Sequence, residues 1–350
     1  MIAYQLSSFG QPLQRFNFGT PDPGPNEILV RVLASGVCHS DLHLRDGYFD
    51  LGDGQTIDLS KGRSLPLTLG HEIAGEVVAV GTSVSSDLIG KKRVIYPWIG
   101  CGACFKCSNG DEHLCSSPEA LGVVRDGGFA DYVVVPHKRY LIDFGGISEK
   151  VSCTYACSGL TAYRATREIR TAMGDRSVVV IGAGGVGLAV IATLKALCEN
   201  KVIICDIDDD RLRAAENLGA DIAINSGSEL RHKLRDHTAG GAGAVVDCVG
   251  SVDSSGLGIK TLAQGGTMIV VGLFGGALKL RLPLLPLKQL TLKGSYVGSL
   301  KDMEELALLV RTGKLPPLPI VERSLSDAQQ ALDELEAGRA IGRIVLRPDL

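Results

Sequence analysis

Short apolar runs separated by glycine and proline fill the chain up to about residue 155. The clearest are EILVRVLASGV at 27–37, EIAGEVVAVG at 72–81, KRVIYP at 92–97 and FADYVVV at 129–135. Runs of this length between frequent turn residues are typical of strands in a compact sheet or barrel. The pattern therefore predicts a β-barrel-like unit with loops that can carry function.

From about residue 156 the apolar runs alternate with longer amphipathic segments. SVVVIGAGGVG leads into LAVIATLKALCEN, and KVIICDID leads into RLRAAENLGAD; the runs GAVVDCVG and GGTMIVVGLFG follow. Strands that alternate with helices of this length favour a parallel, doubly wound sheet. This part of the chain, 156–297, is predicted to form a second domain.

The end of the chain returns to a mixed pattern. Two segments have the spacing of amphipathic helices, KDMEELALLVRTG and SDAQQALDELEAG, and a proline-rich stretch separates them. The run GRIVLRP predicts a last strand, which would return to the first unit. A chain of 350 residues is also too long for one ordinary core. We predict an α/β protein in which 1–155 and 298–350 form one domain.

The composition narrows the possible partners. The chain is 45% hydrophobic and 21% charged with a net charge of −3, which gives no electrostatic basis for binding nucleic acid or an anionic membrane. The first residues lack the layout of a signal peptide, and the glycine-broken apolar runs are too short to span a bilayer. Ten cysteines in such a chain favour a reducing cytoplasm and thiolate–metal chemistry.

Four of these cysteines, Cys101, Cys104, Cys107 and Cys115, have the spacing C-x2-C-x2-C-x7-C. Two-residue gaps let neighbouring thiolates converge on one ion, and four sulfurs complete a tetrahedral zinc shell with no open position. Disulfides, a redox pair and buried structural cysteines are the alternatives, and none of them requires four clustered thiols. The spacing predicts a structural zinc, so the chemistry must lie elsewhere.

A glycine turn predicts a dinucleotide site. Gly182, Gly184 and Gly187 form G-x-G-x-x-G between an apolar strand and a helix, and Asp206 ends the next strand. The N-terminus of the helix would bind the phosphates. Asp206 would accept hydrogen bonds from the adenosine ribose and repel a 2′-phosphate, which favours NAD over NADP. A sheet of this kind without a cofactor is the alternative, and Arg211 would either flank the ribose or be a solvated helix charge.

Two further groups of metal-binding side chains lie outside the cysteine loop. CHSDLH begins at Cys38 and GHEIAG begins at Gly70, each next to a predicted strand. A thiolate and an imidazole on neighbouring loops suit zinc, and a third ligand with water would make an open catalytic site. Any one of these residues is more commonly structural, but their combination with a nucleotide fold predicts a second metal centre.

With these features the chain resembles the zinc-dependent alcohol dehydrogenases of the medium-chain dehydrogenase/reductase superfamily. The stretch 70–84 matches that family's zinc signature, and the cysteine loop, the Cys38 group, the glycine turn and Asp206 follow in the family's order. The resemblance covers nearly the whole chain. It implies a GroES-like β-barrel catalytic domain, a Rossmann doubly wound parallel-sheet coenzyme domain, two zinc ions per chain and NAD.

The resemblance also implies the ligands of the catalytic zinc, which would be Cys38, His71 and Cys157. Cys157 lies in ACSGLTAY, which is similar to the family's ligand segment, and Cys153 is the local alternative. Glu72 would lie beside the metal as an exchanging ligand. Asp41 would orient the imidazole of His71.

The implied reaction is the reversible transfer of a hydride from an alcohol to NAD. Zinc would lower the pKa of the alcohol so that an alkoxide forms, Ser40 would accept the proton, and His43 would exchange it with water. The hydride would then leave the carbinol carbon for NAD. The resemblance implies further cofactor contacts from His39, Thr161, Gly185, Val186, Val249 and Arg343, with His39 and Arg343 at the phosphates.

One departure concerns the interval between the first two zinc ligands. It is longer than in many relatives, and the additional material lies between Asp46 and Ser64. This segment is either a tolerated surface insertion or a loop that shapes access to the cleft. Ser40, where some relatives have threonine, removes a methyl group and would tolerate bulkier or secondary alcohols. Trp98, just before the cysteine loop, would line the pocket.

We therefore expect an NAD-dependent, zinc-dependent dehydrogenase of primary or secondary alcohols, including cyclic or ω-hydroxy alcohols, that yields aldehydes or ketones. A zinc-free quinone or enoyl reductase of the same superfamily is the alternative. A non-enzymatic zinc-ribbon module that binds nucleic acid is a third hypothesis, which the net negative charge disfavours. The resemblance also implies a homo-oligomer, a tetramer rather than a dimer.

Overall fold

The computed structural model describes all 350 residues. The first part of the chain consists mainly of strands. They are β1 (Ile2–Leu6), β2 (Gln14–Asn17), β3 (Ile28–Gly36), β4 (Tyr48–Gly52), β5 (Gln55–Asp58), β6 (Leu67–Thr68), β7 (Glu72–Val80), β8 (Lys92–Ile95), β9 (Tyr132–Val135) and β10 (Leu141–Ile142). Three short helices accompany them: α1 (His39–Asp46), α2 (Phe105–Ser108) and α3 (Glu149–Ser152).

Strands and helices alternate in the middle of the chain. The strands are β11 (Val178–Ile181), β12 (Val202–Asp206), β13 (Ile222–Asn225), β14 (Ala242–Asp247), β15 (Leu262–Val270) and β16 (Thr291–Gly294). The helices are α4 (Ser158–Ile169), α5 (Gly185–Leu197), α6 (Asp209–Asn217), α7 (Leu230–Thr238), α8 (Val252–Thr261) and α9 (Leu284–Lys288). The chain ends with α10 (Leu300–Arg311), β17 (Ile320–Ser324), α11 (Ala328–Glu336) and β18 (Arg343–Arg347). No helix combines the length and the apolar character needed to cross a membrane.

Strand β3 is the centre of the first large sheet. It pairs antiparallel with β7, β9 and β18, and β17 pairs parallel with β18. Arg31 is the only exposed residue of β3, which explains why this strand has a nearly continuous apolar sequence. The last strands of the chain thus belong to the same sheet as the first ones.

The second sheet is wholly parallel and has the order β13-β12-β11-β14-β15-β16. This is the strand order of a dinucleotide-binding fold, in which the order reverses between the first and fourth strands. Ligands of such folds bind at the carboxyl ends of the strands beside that reversal. The predicted α/β fold class, with a GroES-like part and a Rossmann sheet, is confirmed.

Helix α4 leads from the first sheet to the second. It packs against α5 of the Rossmann part, and α10 in turn packs against α4. One continuous apolar core includes residues of both sheets, such as Val30 and Val180. The division of the chain at 155/156 and 297/298 stays a prediction, because helices on the two sides of these boundaries contact each other.

The additional segment between Asp46 and Ser64 forms the antiparallel hairpin β4–β5. Its turn touches the loop that follows β15. A Cβ atom at Gly52 would collide with the backbone nitrogen of Ala277, and one at Gly275 would lie 2.7 Å from the Asp50 oxygen. The hairpin therefore connects the first domain to the Rossmann part by direct backbone contact.

Candidate active site

Three buried side chains that are far apart in sequence lie together. Cys38, His71 and Cys157 place their ligand atoms within 4.8 Å of one another, and the two Sγ atoms are 4.0 Å apart. Two sulfurs and one nitrogen at this spacing suit a tetrahedral zinc whose fourth position is open to water or substrate. The residues therefore fit the metal that the sequence predicts.

The electrostatics of the two thiols also favour a cation. Interaction with Cys157, helped by His71, lowers the pKa of Cys38 although burial opposes this. Interaction with Cys38 and burial raise the pKa of Cys157. The two sulfurs therefore resist carrying two adjacent negative charges, and a divalent cation between them removes that conflict.

Asp41 holds two of the ligand segments in place. This fully buried carboxylate accepts hydrogen bonds from the Cys38 N–H (2.9 Å) and the Gly70 N–H (3.3 Å). Its Oδ1 lies 3.2 Å from Nδ1 of His71, which leaves Nε2 as the ring nitrogen available to the metal. Burial opposes a charge on His71, but Asp41 and Cys38 together raise its pKa well above the ordinary value.

The third member of the ligand group is Cys157 and not the nearby Cys153. Cys157 directly precedes α4 and joins the ligand group, whereas the Sγ of Cys153 points to the Lys150 carbonyl oxygen at 3.5 Å. Trp98 fixes this segment by donating from Nε1 to the Ala156 carbonyl (2.9 Å). The arrangement agrees with the ligand set implied by the family resemblance.

Glu72 follows His71 in sequence but lies outside the ligand group. Its Oε1 accepts a hydrogen bond from the Ser158 N–H (3.0 Å), and its Oε2 lies 2.6 Å from Nη2 of Arg343. Glu72 would have to leave this buried ion pair to bind the metal, and its role as an exchanging ligand stays a prediction.

Arg343 connects the metal centre to the glycine turn. A Cβ atom at Gly185 would lie 2.5 Å from the Cδ of Arg343, so the arginine stem packs directly against the start of α5. The guanidinium pairs with Glu72 at the other end. The stem of Arg343 therefore lies beside the glycine turn, and the pairing of its guanidinium with the pyrophosphate stays a prediction.

The two residues predicted to move the proton both lie on α1. Ser40 Oγ is 3.8 Å from Sγ of Cys38. His43 lies further along the helix, with its ring centroid 4.6 Å from that of Phe49. Burial lowers the pKa of His43, although the charges of Cys38 and Asp46 oppose this. A neutral imidazole near pH 7 is able to accept a proton.

The four-cysteine loop forms a separate centre. Cys101, Cys104, Cys107 and Cys115 all place Sγ within 4.8 Å of the others, with Cys104 Sγ 3.5 Å from Cys107 Sγ. The Cys107 N–H, followed by the thiol of the same residue, lowers the pKa of Cys104 to about 6. A thiolate at neutral pH is what a zinc ion requires, and four sulfurs fill its shell.

Glu112 attaches this loop to the barrel. Its carboxylate lies 2.6 Å from Nη2 of Arg139, and it accepts hydrogen bonds from the Tyr140 hydroxyl (2.8 Å) and, more weakly, the Gly100 N–H (3.4 Å). Glu112 is 4% exposed, so these contacts satisfy a carboxylate that would otherwise be costly to bury. No pattern in the sequence indicated this residue.

The glycine turn has the features that a pyrophosphate needs. Gly182 has φ +93°, and a Cβ there would lie 2.6 Å from a methyl group of Val249. A Cβ at Gly187 would collide with the Gly182 oxygen, whereas one at Gly184 meets no atom within 4 Å. Two glycines therefore permit the turn itself, and the third leaves backbone open at the N-terminus of α5.

Asp206 ends β12 beside this turn. One carboxylate oxygen accepts from the Ala183 N–H (2.5 Å) and the other from the Asp208 N–H (3.0 Å). Arg211 is half-buried and donates to the Gly338 carbonyl (2.5 Å), so it is more than a solvated charge. Its predicted contact with the ribose stays a prediction.

His39 lies at the start of α1 with part of its side chain exposed, in the field of two arginines. The surrounding protein and the positive charges of Arg343 and Arg211 lower its pKa, while Cys38 opposes this. The two guanidiniums supply the positive charge that suits phosphates, and a neutral His39 can still donate a hydrogen bond from its ring N–H.

The remaining predicted cofactor residues lie on α4, on α5 and beside Gly182. Thr161 is buried in α4 and Val186 lies in the first turn of α5, while Val249 covers Gly182. Asp247 was not predicted. This fully buried carboxylate at the end of β14 accepts from the Val249 N–H (3.0 Å) and the Gly250 N–H (2.9 Å). Its position at the carboxyl end of a parallel strand is a signal that would have identified it.

An aromatic pair extends from the metal centre. The Trp98 ring centroid is 5.2 Å from that of His71 and 5.7 Å from that of Tyr296. Tyr296 is 46% exposed, yet surrounding protein and then the charges of Cys157 and Cys38 raise its pKa to about 12. A ring that is accessible to solvent and close to the metal ligands is suited to contact a substrate; Tyr296 was also missed from the sequence.

Comparisons with known proteins agree with this geometry. Residues 24–144 match the alcohol dehydrogenase GroES-like domain, and residues 185–311 match the zinc-binding dehydrogenase domain. An NAD-dependent alcohol dehydrogenase of Sulfurisphaera tokodaii is 38% identical over 99% of this chain and 100% of its own, and one of Saccharolobus solfataricus is 37% identical with the same coverage. The crystal structure of the Aeropyrum pernix alcohol dehydrogenase superposes with a TM-score of 0.90 at 29% identity, covering 99% of this chain and 100% of that one.

The chain belongs to the zinc-dependent medium-chain alcohol dehydrogenase family. It is an NAD-dependent oxidoreductase, and its cofactors are NAD and zinc, with one four-cysteine centre and one Cys-His-Cys centre per chain. The zinc-free reductase considered above is disfavoured, because such an enzyme has no use for three buried ligands close to the glycine turn.

Proposed function

We propose that Cys38, His71 and Cys157 form the catalytic centre of a reversible alcohol dehydrogenase. The ion pair between Glu72 and Arg343 is the observation that supports this proposal most, because it connects the ligand group to the glycine turn at Gly185. A substrate on the metal and the nicotinamide of a dinucleotide whose pyrophosphate lies on the turn would then be neighbours. Proximity of this kind is worth several orders of magnitude in rate.

When bound, zinc supplies a Lewis acid that lowers the pKa of the alcohol, and NAD accepts the hydride. The chain's own residues orient the metal ligands and move the substrate proton. Asp41 binds Nδ1 of His71, which orients the ring and leaves Nε2 as the nitrogen that would bind the metal. Ser40, 3.8 Å from a ligand sulfur, accepts the substrate proton, and His43 receives it because its lowered pKa leaves the imidazole neutral.

The hairpin β4–β5 shapes access to this centre in our proposal. Its turn rests on the loop 275–277 of the Rossmann part, so the two domains would open and close against each other through this contact. A merely tolerated insertion would not require glycine at both contacting positions.

A kinetic experiment with one variant tests the catalytic centre. Cys38→Ala should lose NAD reduction with every primary, secondary and cyclic alcohol that the wild type oxidises. NADH binding, measured by fluorescence, should be retained because the glycine turn is intact. The exposed Cys101 cannot serve as a control since it is a zinc ligand; Cys198→Ala, outside both centres, should keep full turnover. Normal turnover by Cys38→Ala would refute the proposal.

We further propose a homotetramer in a reducing cytoplasm. Strand β16 lies at the edge of the Rossmann sheet with exposed residues throughout, and an unpaired edge is a natural site for a second copy. None of the ten cysteines forms a disulfide, which agrees with a reducing compartment. Light scattering distinguishes a tetramer from a dimer, and introducing proline at Leu292 in β16 should reduce the mass if this edge is used.

A further inference from the structure

The turn of the hairpin β4–β5 lies against the loop that follows β15. Gly52 has φ +82°, and a Cβ atom there would collide with the backbone nitrogen of Ala277. From the other side, a Cβ at Gly275 would lie 2.7 Å from the carbonyl oxygen of Asp50. Backbone meets backbone in both directions, so a displacement of the turn must displace the loop.

The base of the hairpin is anchored in the first domain. Phe49 of β4 packs against a buried cluster that includes Leu42 of α1, and its ring centroid is 4.6 Å from that of His43. Just after β5, the Leu59 N–H donates to the Gly47 carbonyl oxygen (2.8 Å). The first domain therefore holds the hairpin in place, while the turn contacts the Rossmann part.

The loop after β15 is bonded to the segment that follows β14. The Phe274 N–H donates to the Val249 carbonyl oxygen, and the bond is 3.1 Å long. The Gly275 N–H donates to the Gly250 carbonyl oxygen at the same distance of 3.1 Å. A Cβ at Gly272 would collide with the carbonyl carbon of Val249. The two segments thus continue the parallel pairing of β14 and β15 beyond the carboxyl ends of the strands, where ligands of this fold bind.

The inner end of this paired unit lies on the glycine turn. A Cβ at Gly182 would lie 2.6 Å from a methyl group of Val249. The Asp247 carboxylate accepts from the N–H groups of Val249 (3.0 Å) and Gly250 (2.9 Å). The Asp247 carbonyl oxygen accepts from the Val271 N–H (2.9 Å). Because Asp247 holds both segments at their base, a displacement of the loop shifts Val249 relative to the glycine turn.

The Rossmann sheet alone leaves room for the loop to shift. A pocket of about 270 Å³ lies between the loop, α8 and β15, and its lining includes Leu278, Val252 and Met268. Close packing from below therefore does not fix the loop, and the hairpin turn supports it from the outside.

We propose that the turn of β4–β5 sets the affinity of the enzyme for NAD and NADH by positioning Val249 beside the glycine turn. The inference rests on the proposed binding of the dinucleotide at that turn. It gives the hairpin a role in coenzyme retention that is separate from access of the alcohol. Gly52 and Gly275 are positioning residues, because they act on the coenzyme through the loop and Val249. Coupling of this kind typically changes an affinity about 5- to 150-fold.

A matched pair of variants tests the contact. Gly52→Ala places a Cβ against the backbone of Ala277 and should raise the Kd of NADH about 5-fold or more, mainly through faster release. Gly54 lies in the same turn with φ +74°, and a Cβ there meets no atom within 4 Å. Gly54→Ala thus introduces comparable backbone strain without the collision and should bind NADH as wild type does. Fluorescence titration without alcohol measures the Kd, and stopped-flow displacement measures the release rate.

The loop side of the contact provides a second pair. Gly275→Ala should also raise the Kd of NADH, whereas Gly265→Ala, at an exposed glycine of β15 whose Cβ would meet no atom within 4 Å, should not. The double variant of Gly52 and Gly275 should lose less than the product of the two single losses, because both substitutions disturb one contact.

A shortened hairpin removes the turn without adding a collision. Replacing residues 50–56 by Asn-Gly closes the hairpin at the pair Phe49 and Ile57 and keeps Phe49 beside His43. This variant should raise the Kd of NADH as Gly52→Ala does, with an unchanged KM for 1-alkanols at saturating NAD.

The outcomes separate this proposal from the one on which it rests. An unchanged Kd of NADH in Gly52→Ala and in the shortened hairpin, or an equal loss in Gly54→Ala, would overturn the role of the turn. A raised KM for alcohols at unchanged NADH affinity would also overturn it and leave the hairpin as a barrier to substrate alone. Gly187→Ala, whose Cβ would collide with the Gly182 oxygen, should abolish NADH binding. Wild-type NADH affinity in Gly187→Ala would instead contradict the glycine turn as the coenzyme site.

Discussion

The two metal centres of this protein are built in opposite ways. The four-cysteine centre takes all its ligands from one segment, 101–115, whose cysteines as whole residues are exposed or half-buried. The Cys-His-Cys centre takes three buried ligands from segments separated by 33 and 86 residues (71 − 38 and 157 − 71). The first centre organises a loop, whereas the second exists only when the whole domain is folded.

The groups around the ligands differ in the same way. Backbone N–H groups of the loop itself donate to the sulfurs of the four-cysteine centre, as Cys101 and Ser117 do to Cys115 at 3.3 Å. The catalytic ligands depend on side chains that connect distant segments, namely Asp41, Glu72 and Arg343. A closed site therefore needs only local geometry, while an open site needs support that holds it in the absence of a fourth ligand.

Removing a ligand of the four-cysteine centre should have the largest effect on folding. Cys104→Ser should release the zinc of the loop and lower the unfolding temperature by roughly 10 °C or more, because metal binding is the main source of order there. Differential scanning calorimetry with zinc quantification measures this. Loss of activity from a variant that stays fully folded and assembled would contradict the division of roles.

Breaking the buried ion pair between Glu72 and Arg343 should have the next largest effect on the free energy of unfolding. Glu72→Ala leaves the buried guanidinium of Arg343 without a counterion and should cost about 3–5 kcal/mol of unfolding free energy. Glu76→Ala on the same strand breaks the more exposed pair with Arg31 (2.7 Å) and should cost about 0–1 kcal/mol. Urea unfolding compares the two variants, and similar costs would mean that burial does not distinguish these pairs.

Asp41→Asn should weaken zinc binding at the Cys-His-Cys centre and leave the four-cysteine centre unchanged. Loss of the carboxylate that binds Nδ1 of His71 should weaken zinc binding or activity about 10- to 100-fold, as is usual for groups that orient a ligand. The zinc of the four-cysteine centre should be unaffected in competition with a chromogenic chelator. Release of both metals together would indicate that Asp41 supports the fold in general.

Glu112→Gln should produce the smallest effect, and only on the structural loop. Glutamine keeps an acceptor for the Tyr140 hydroxyl but loses the charge that faces Arg139, so about 1 kcal/mol of stability should be lost. Initial rates of NAD reduction should not change. A reduced kcat at unchanged stability would show that the loop communicates with the catalytic centre.

The sequence was sufficient for features that depend on local spacing. The four-cysteine loop and the G-x-G-x-x-G turn are recognisable because all their essential residues are close neighbours, and the alternation of strands and helices predicted the Rossmann sheet. The Cys38 and His71 motifs were also recognisable, and the resemblance to a family supplied Cys157 and the order of the domains.

Contacts between distant segments could not be predicted. Glu72 and Arg343 are 271 residues apart (343 − 72), and nothing in either sequence neighbourhood specifies their pairing. Tyr296 follows an unremarkable edge strand, and Gly52 lies in a hairpin whose turn contacts the Rossmann part. Such contacts arise from the packing of whole elements, which a single sequence does not encode in any local pattern.

The zinc content of three proteins tests the central claim most directly. Wild type should contain two zinc ions per chain. Cys157→Ala should contain one, with unchanged unfolding temperature and NADH binding but no turnover, and Cys104→Ser should contain one with a lowered unfolding temperature. Two zinc ions with normal turnover in Cys157→Ala, or one zinc ion in a fully active wild type, would contradict the assignment of one structural and one catalytic centre.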